Sequence, residues 1–359
     1  MAEPATTASP KATSPTSAVE SPAHAPQPEL VAADFGVEDD DDNDDGDSAL
    51  GSNCDRFDST ASASTSIFEY RTIQGRTYHS GRFNLEYFTP NDDRHNESDD
   101  INHHCLTLAL DNKLYLPPLK KDIKRVLDIG TGTGIWAMDF ADEFPGVEVT
   151  GTDISPRQPS WVPPNVRFEV DDATEPWTWD DNHFDFVHLR YLLGSIDDWG
   201  QLLKQAYRVT APGGWVESGE PEIDFRSDDG TVMPGSALAT WGRMCSEAGK
   251  KTGRSFTIIS DGTQKKAFEE AGFVNIQVVD RKVAVGDWPR DPKQAEIGRY
   301  LWITIDNDLE GYSSFMWHQV LNWPADEYQP FLMRTRKEMR NKSIHPYFRH
   351  RYVYGQKPE

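Results

Sequence analysis

Residues 126–134 read V-L-D-I-G-T-G-T-G, and this stretch decides the fold. Apolar residues lie on both sides of Asp128, which predicts a strand of a parallel sheet, because strands covered on both faces lose the alternation of polar and apolar residues. Glycines then occupy every second position, at Gly130, Gly132 and Gly134. Glycine permits positive φ and lets a ligand lie directly against the backbone. The largely apolar residues 135–140 predict that a helix follows.

Strand and helix patterns continue to alternate after this turn. Further strands are predicted at 148–154, 166–170, 184–189, 215–217, 275–285 and 349–354, with helices at 202–209, 233–251 and 261–272. Repeated strand–helix units imply a parallel sheet joined by right-handed crossovers. In such an α/β fold, a glycine turn between a strand and a helix binds a nucleotide-like cofactor at the carboxyl edge of the sheet.

The composition argues against several classes of protein. The 359 residues carry a formal net charge of −23 with a pI near 4.8, which disfavours direct nucleic-acid binding. The three cysteines are far apart, so they predict neither a disulfide framework nor a metal site, and they fit a reducing compartment. No apolar run approaches the roughly 20 residues of a membrane helix, and the N-terminus does not resemble a signal peptide. We therefore expect an intracellular protein, cytoplasmic and/or nuclear, that is not an integral membrane protein.

The segment before residue 126 differs from the rest. Residues 1–66 are rich in Ala, Ser, Thr and Pro and then strongly acidic, above all at 38–47. Such a segment buries too little apolar surface to offset its ordering entropy, so we predict a disordered acidic tail. Residues 67–125 are predicted to form a helical or cap segment, with a helix at 99–110 and Ser98 as its N-cap.

The spacing of the glycines bears on the class of cofactor. A dinucleotide site has the pattern G-x-G-x-x-G, whereas here Ile135 occupies the position of the third glycine, which weakens a nicotinamide or flavin assignment without excluding it. The tighter loop suits a ligand without a pyrophosphate, such as S-adenosylmethionine. Asp153 ends the second strand, where a carboxylate accepts hydrogen bonds from ribose hydroxyls. Asp172 and Ala173 follow the third strand, where they are placed to contact the adenine ring.

Several stretches resemble one family. D-I-G-T-G-T-G-I-W-A at 128–137 resembles the first motif of class I S-adenosylmethionine-dependent methyltransferases. Residues 151–179 are similar to the LaeA-like fungal methyltransferases, which include velvet-associated regulators of secondary metabolism. They read G-T-D-I-S-P-R-Q-P-S-W-V-P-P-N-V-R-F-E-V-D-D-A-T-E-P-W-T-W. A-P-G-G-W-V-E and the final R-Y-V-Y-G-Q-K-P fit the same group. The resemblance spans roughly residues 67–358.

This resemblance implies a Rossmann-like fold with a seven-stranded sheet whose last strand is antiparallel. The methyltransferase core would span 126–287, a helical insertion or lid 288–342, and the final strand 343–359. By position, the residues expected at the methionine end of the cofactor are Asp128, Gly130, Thr131, Gly132 and Gly134. Asp153 would hold the ribose, and Asp172 with Ala173 the adenine.

Residues for catalysis are less well defined by the sequence. His188, Arg190 and Tyr191 lie at the carboxyl end of the fourth predicted strand, and a histidine has a suitable pKa for a base. Tyr78 and its neighbour His79 are candidates to close over the cofactor. His188 is also a candidate for a purely structural role.

The sequence leaves the methyl acceptor open. The first hypothesis is a methyltransferase that controls secondary metabolism and development through a protein target or a velvet-family or other regulatory partner. The second is a tailoring enzyme that methylates oxygen or nitrogen of a small secondary metabolite. The third is a non-catalytic scaffold in a velvet-type regulatory complex.

Overall fold

The structure is a computed structural model that describes residues 27–33, 68–81 and 87–359. Its strands are β1 (Tyr70–Ile73), β2 (Arg76–Ser80), β3 (Arg125–Ile129), β4 (Glu148–Asp153), β5 (Val166–Val170), β6 (Phe184–Arg190), β7 (Thr210–Arg226), β8 (Val274–Ala284) and β9 (Tyr347–Gln356). Its helices are α1 (Asp93–Ala109), α2 (Ile135–Glu143), α3 (Trp199–Val209), α4 (Ala237–Thr252), α5 (Thr263–Ala271), α6 (Pro292–Asn307), α7 (Leu309–Ser314) and α8 (Ala325–Arg340), with a π-helix at Phe315–Leu321. None of the described helices combines the length and apolarity needed to cross a bilayer.

One sheet organises the fold. Its strand order is β5-β4-β3-β6-β7-β9-β8, and β3 to β7 pair in parallel. β9 runs antiparallel to both of its neighbours, β7 and β8. The predicted seven-stranded sheet with an antiparallel last strand is therefore confirmed. In the parallel register, Asp128 lies opposite His188 on one side and Gly151 on the other, at the carboxyl ends of the strands.

The helical insertion before the last strand is also confirmed. Between β8 and β9 the chain forms α6, α7, the π-helix and α8. The aromatic residues that crowd this stretch pack on one another, as in the stack of Trp317 on Phe331 with ring centroids 4.9 Å apart. β8 and β9 are antiparallel neighbours, which a short hairpin could join, so the insertion is an addition that the strand order does not require.

Two predicted boundaries differ from the structure for identifiable reasons. Helix α1 begins at Asp93, because the carboxylate of Asp92 accepts a hydrogen bond from the backbone N–H of His95 at 3.2 Å. Ser98 is buried inside this helix, so the prediction that it is the N-cap is wrong. Strand β7 extends far beyond the predicted 215–217, because it pairs with both β6 and β9.

Part of the predicted acidic tail lies against the core. Within 1–66, only residues 27–33 are described, and the side chain of Gln27 accepts from the backbone N–H of Lys282 at 2.6 Å. The backbone N–H of Arg290 donates to the carbonyl of Val31 at 2.6 Å. These seven residues thus differ from the predicted disorder, because their polar groups pair with the chain at and after β8. The rest of the predicted tail lies outside the described residues, as do residues 67 and 82–86 of the predicted cap segment. The described part of that segment contains the hairpin β1–β2 in addition to α1.

Helix α6 approaches the sheet so closely at Gly298 that a side chain has no room. An added Cβ would lie 2.2 Å from the carbonyl oxygen of Gly286 and 3.0 Å from the side chain of Ala284. Because the nearest atom belongs to the backbone, we expect Gly298→Ala to lower the free energy of unfolding by about 1–3 kcal/mol. Urea denaturation followed by circular dichroism measures this change. Arg299→Ala, at the next and exposed position, should change it by less than about 0.5 kcal/mol; equal stability of the two variants would contradict this packing.

Buried Glu217 predicts a pH dependence of stability. Its Oε2 accepts from the backbone N–H of Leu116 at 2.7 Å, and its Oε1 has no partner among the described residues. Burial raises the pKa of this carboxyl to about 8, against smaller lowering effects of that N–H group and of Arg190. Between the ordinary glutamate pKa and this raised value, the folded state keeps a proton that the unfolded state has released. Stability from this group is therefore present at low pH and lost as the pH rises toward about 8.

Glu217→Gln keeps the shape of the protonated side chain and does not titrate. We expect it to reduce the fall in the free energy of unfolding between about pH 5 and about pH 8 by on the order of 1 kcal/mol or more. Urea denaturation across this pH range measures the slope. Glu148→Gln, at the exposed start of β4, serves as the control and should leave the slope unchanged. If the free energy of unfolding of the Glu217 variant fell with pH as steeply as that of the wild type, a group other than Glu217 would cause the pH dependence.

Candidate active site

The glycine loop between β3 and α2 forms the floor of the site. Gly130, Gly132 and Gly134 have φ values of 67°, 61° and 82°, in the left-handed region that favours glycine. A Cβ on Gly130 would lie 2.4 Å from the side chain of Leu192, and one on Gly134 would lie 2.4 Å from the ring of Phe168. The loop therefore needs glycine both for its backbone conformation and for its close packing.

The side chain of Asp128 connects this loop to the neighbouring strand β6 through hydrogen bonds. Its Oδ2 accepts from the hydroxyl of Thr131 at 2.6 Å, and its Oδ1 lies 2.7 Å from Nδ1 of His188 on the neighbouring strand. The His188 ring stacks on Trp136, with ring centroids 3.7 Å apart and 5° between the planes. A buried carboxylate needs such partners, and here the protein supplies them. Contact of Asp128 with the methionine end of the cofactor stays a prediction.

Asp153 stands at the end of β4 beside the loop. Its Oδ2 accepts from the backbone N–H of Gly132 at 2.9 Å, and its Oδ1 accepts from that of Ser155 at 3.0 Å. Burial raises the pKa of this carboxyl, with Arg157 and the two backbone donors acting in the opposite direction. An ionised carboxylate has about four acceptor sites, so Asp153 retains capacity for the two ribose hydroxyls predicted there.

In the turn after β5, Asp172 forms hydrogen bonds within the turn, whereas Asp171 and Ala173 line the site. Oδ1 of Asp172 accepts from the backbone N–H and the hydroxyl of Thr174 at 2.9 and 2.7 Å, so this buried carboxylate stabilises its own turn. Asp171 and Ala173, on either side of it, line the site. Contact of Asp172 with the adenine amino group stays a prediction, and Asp171 is a carboxylate at this position that the sequence analysis did not single out.

These strand ends border one cleft, here called the strand-end cleft. The glycine loop, the ends of β4 and β5, the turn after β6, helix α1 and helix α7 contribute to its lining. The predicted site residues that line it are Gly130, Thr131, Gly132, Asp153, Ala173, Arg190 and Tyr191. The structure thus gathers most of the predicted donor-binding residues in one cavity.

The three candidates at the end of β6 have different surroundings. His188 is buried under Trp136 and does not belong to the lining. Arg190 lines the cleft, with Nη2 3.0 Å from Nδ1 of His103 on α1. Tyr191 has a φ of 58°, unusual for a residue other than glycine, and its hydroxyl lies 2.9 Å from Nε2 of His350.

A buried glutamate supports this unusual turn. Glu220 on β7 accepts from the backbone N–H groups of Leu192 and Leu193 at 3.1 and 3.0 Å. Burial raises the pKa of Glu220 to about 8, and the two N–H groups and Arg190 oppose that rise. The carboxyl therefore fixes the backbone that follows Tyr191, and with it one wall of the cleft.

Tyr78 lies outside the cleft. Its ring is fully buried and packs on Phe315 of the π-helix, with ring centroids 5.6 Å apart. Burial also raises the pKa of its hydroxyl, which has no partner among the described residues. The structure therefore uses Tyr78 to pack the hairpin β1–β2 onto the insertion, in contrast to the predicted contact with the cofactor. His79 beside it is buried as well, with Nε2 3.1 Å from the backbone N of Tyr87.

Arg157 is a site residue that the sequence analysis missed. A Cβ on Gly132 would lie 3.1 Å from its Nη2, so this guanidinium lies close to the glycine loop. Its Nη1 donates to Oδ2 of Asp99 at 2.9 Å and to Oδ1 of Asn96 at 3.1 Å, both on α1. The available signal was a cation four residues after the strand-end Asp153, within the quoted G-T-D-I-S-P-R-Q stretch.

The residues present fit S-adenosylmethionine. The glycine loop offers bare backbone to the amino-acid end, and Arg157 and Arg190 are cations able to pair with its carboxylate. Asp153 is placed for the ribose, and the turn at Ala173 for the adenine. Among the described residues, no three His, Cys, Asp or Glu side chains come together as a metal site.

Comparisons with known proteins give the class of protein. A family model described as a methyltransferase domain matches residues 101–278. The methyltransferase pytC of Aspergillus terreus is 38% identical over 84% of this chain and 92% of its own length. A secondary metabolism regulator of Cochliobolus heterostrophus is 34% identical over 76% of this chain and 90% of its own. The protein-methionine methyltransferase laeA of Emericella nidulans is 30% identical over 78% of this chain and 74% of its own.

The fold and the site together define a class I methyltransferase that uses S-adenosylmethionine as its cofactor. Given the extent of these similarities, the chain belongs to the LaeA-like family of fungal methyltransferases.

The bound cofactor supplies a methyl group on a positively charged sulfur. The protein must hold the acceptor in line with that methyl group and keep water away, because displacement depends chiefly on near-attack geometry. The glycine loop and Asp153 would position the donor, and α1, α7 and the turn at Tyr191 also line the cleft. A base is needed only when the acceptor atom carries a proton.

Asp153→Ala should weaken the binding of S-adenosylhomocysteine roughly 10- to 150-fold, since a hydrogen bond to a charged group contributes about 1.5–3 kcal/mol. Isothermal titration calorimetry measures the affinity. Asp185→Ala is a matched control, because Asp185 also accepts from two backbone N–H groups, at 2.6 and 3.0 Å, but at the opposite edge of the sheet. Equal affinity of the Asp153 variant and the control would contradict the role assigned to Asp153.

Proposed function

We propose that this methyltransferase transfers the methyl group to a small, largely apolar molecule, as a tailoring enzyme of secondary metabolism does. The observation that carries this proposal is a second, mainly apolar pocket beside the strand-end cleft, here called the apolar chamber. Its walls include the side chains of Ile223, Trp241, Leu301, Thr304, Ile305 and Phe348. Small-molecule sites are typically lined by hydrophobic and aromatic side chains with a few polar groups, and this lining has that character.

The apolar chamber adjoins the strand-end cleft. The two cavities share the side chains of Phe88, Asn102, Tyr191, Leu193 and Tyr312. An acceptor in the chamber therefore borders the cavity that holds the donor. This arrangement supports transfer between two small molecules bound side by side, which is what an in-line displacement requires.

The insertion and the core build the chamber jointly. Leu301, Thr304 and Ile305 come from α6 and are nearly fully buried. Trp241 on α4 and Phe348 on β9 supply core walls. The insertion thus forms one wall of the proposed acceptor site, which is the role expected of the predicted lid.

Trp241, which lines the chamber, carries an unpaired hydrogen-bond donor. Its indole N–H is buried and has no partner among the described residues. Buried polar groups in folded proteins are nearly always hydrogen-bonded. A bound molecule that reaches this group would satisfy it with an oxygen or nitrogen atom.

A second candidate function is methylation of a protein in the control of secondary metabolism. It is favoured by the similarity to the Cochliobolus heterostrophus regulator and to the Emericella nidulans laeA, a protein-methionine methyltransferase. Regulatory proteins, velvet-family proteins among them, would then be partners of this chain. The chamber favours the first candidate, because its walls are contributed mainly by buried side chains.

Incubation of the full chain with S-adenosylmethionine labelled in its methyl group and a fungal cell extract separates the two candidates. We expect the label in low-molecular-mass products extractable into organic solvent. Asp153→Ala protein serves as the negative control for background labelling. Label confined to protein would overturn the small-molecule proposal in favour of the second candidate.

Leu301→Trp should fill the chamber and lower small-molecule methylation at least tenfold, because the added indole occupies the space proposed for the acceptor. Affinity for S-adenosylhomocysteine, measured by calorimetry, should remain within a few-fold of wild type and show that the donor site is folded. Met333→Trp makes the corresponding change on the exposed face of α8, where Met333 is 70% exposed, and should leave both quantities unchanged. Undiminished methylation in the Leu301 variant would place the acceptor elsewhere.

A further inference from the structure

We propose that Arg190 binds the carboxylate at the amino-acid end of S-adenosylmethionine, and that His103 of α1 positions the Arg190 guanidinium for this contact. The inference concerns the donor alone, so it holds whether the methyl acceptor is a small molecule or a protein. Arg190 lines the strand-end cleft, whereas His103 is buried behind it.

Arg190 stands beside the glycine loop. It ends β6, and the pairing of Ile129 with Leu189 puts it level with Gly130, the first glycine of the loop. On the other side of β3, Asp153 ends β4 and accepts from the backbone of the same loop. Because neighbouring strands lie about 4.8 Å apart, β4 and β6 are separated by about 10 Å across β3. A donor with its ribose at Asp153 and its amino-acid end on the loop therefore extends toward Arg190.

Two hydrogen bonds in series fix the Arg190 side chain. Its Nη2 donates to Nδ1 of His103 at 3.0 Å, and Nε2 of that imidazole lies 2.9 Å from Oδ2 of Asp139 on α2. A guanidinium can only donate, so Nδ1 must be the accepting nitrogen, and Nε2 carries the proton that is donated to Asp139. Burial lowers the pKa of His103, against the opposing effect of Asp139, and this favours the neutral ring that the arrangement needs.

The other nitrogen atoms of Arg190 can bind an anion. The bond to His103 is the hydrogen bond that Arg190 makes within the described residues, and no carboxylate in that part of the chain lies within ion-pair distance. Arg190 is partly exposed, and none of its nitrogens is among the fully buried polar atoms that lack a partner. A guanidinium has five N–H groups in a planar fork that matches a carboxylate. A carboxylate in the cleft therefore has donors within Arg190 that the protein itself does not use.

The titratable groups around Arg190 leave its charge uncompensated. Burial raises the pKa of Glu217 and that of Glu220 to about 8, so both carboxyls are largely protonated near neutral pH. Burial lowers the pKa of the nearby His188 and that of His350, so both rings are uncharged there. A positive charge among neutral groups favours an anionic ligand, and the donor carries a carboxylate at the end that faces this side of the sheet.

Arg157, the other guanidinium in the cleft lining, is already paired. Its Nη1 donates to Oδ2 of Asp99 at 2.9 Å and to Oδ1 of Asn96 at 3.1 Å, and its side chain is only 5% exposed. The carboxylate of Asp99 thus offsets the charge of Arg157, whereas the partner of Arg190 is a neutral histidine. Of the two cations, Arg190 is therefore the one that the donor carboxylate would neutralise.

The test removes the carboxylate from the ligand and the guanidinium from the protein in turn. The ligands are S-adenosylhomocysteine and decarboxylated S-adenosylhomocysteine, which keeps the adenosine, the sulfur and the amine. Calorimetry should show that the wild-type chain prefers S-adenosylhomocysteine roughly 10- to 150-fold, the factor expected for a hydrogen bond between charged groups. Arg190→Gln should bind the decarboxylated ligand as wild type does and lose most of this preference.

Two substitutions of His103 separate positioning from packing. His103→Leu removes the acceptor for Nη2 of Arg190, so the preference for S-adenosylhomocysteine should fall roughly 3- to 10-fold while affinity for the decarboxylated ligand is kept. His103→Asn offers an oxygen near the position of Nδ1 and should restore most of the preference. If His103 only supported the fold, both variants would instead lose affinity for the two ligands in equal proportion.

Arg125→Gln is the matched control, because Nη1 of Arg125 also faces a histidine, 3.5 Å from Nδ1 of His183, but at the opposite edge of the sheet. It should keep the wild-type preference. The proposal would be overturned if the wild-type chain bound both ligands equally, or if Arg190→Gln kept the wild-type preference. Arg190→Met, which keeps the aliphatic stem, is measured in parallel. Loss of both ligands in both Arg190 variants would show that Arg190 supports the fold, and it too would overturn the proposal.

Discussion

The buried carboxylate of Asp308 is the point on which the arrangement of the site depends. It pairs with Arg76 of β2 and with His95 of α1, residues separated from it by 232 and 213 positions in the chain. An unpaired charge in this environment would be strongly destabilising, so the hairpin, α1 and the insertion are held together at one place. Since α1 and α7 both line the strand-end cleft, this one interaction also sets the wall opposite the glycine loop.

The site accordingly consists of two parts with different origins. The donor part comes from one continuous stretch, in which the glycine loop, Asp153 and the turn at Ala173 lie at the ends of adjacent parallel strands. The proposed acceptor part comes from α1, α4, β9 and the insertion, which meet at the apolar chamber. The donor part therefore depends on local motifs, and the acceptor part on the packing of the whole domain.

This division separates what binds the donor from what the proposal assigns to the acceptor. A methyltransferase, a regulator and a protein-methionine methyltransferase all match this chain at 30–38% identity. We expect the glycine loop and the strand-end carboxylate to serve any methyl acceptor, because their predicted contacts are with the donor alone. Differences in acceptor would instead arise in the chamber walls, where α6 supplies Leu301, Thr304 and Ile305.

The sequence by itself determined the α/β sheet, because alternating strand and helix signals are local patterns. It also indicated the donor cofactor, through the glycine spacing, the strand-end carboxylates and the family resemblance, and that resemblance implied the helical insertion. It did not determine that Tyr78 would pack on Phe315, that Arg157 would lie close to the glycine loop, or that Gln27 would pair with Lys282. The sequence alone also did not predict the pairing of His95 with Asp308. Those contacts join residues far apart in the chain, and only the burial of charged and aromatic groups in the tertiary structure selects them.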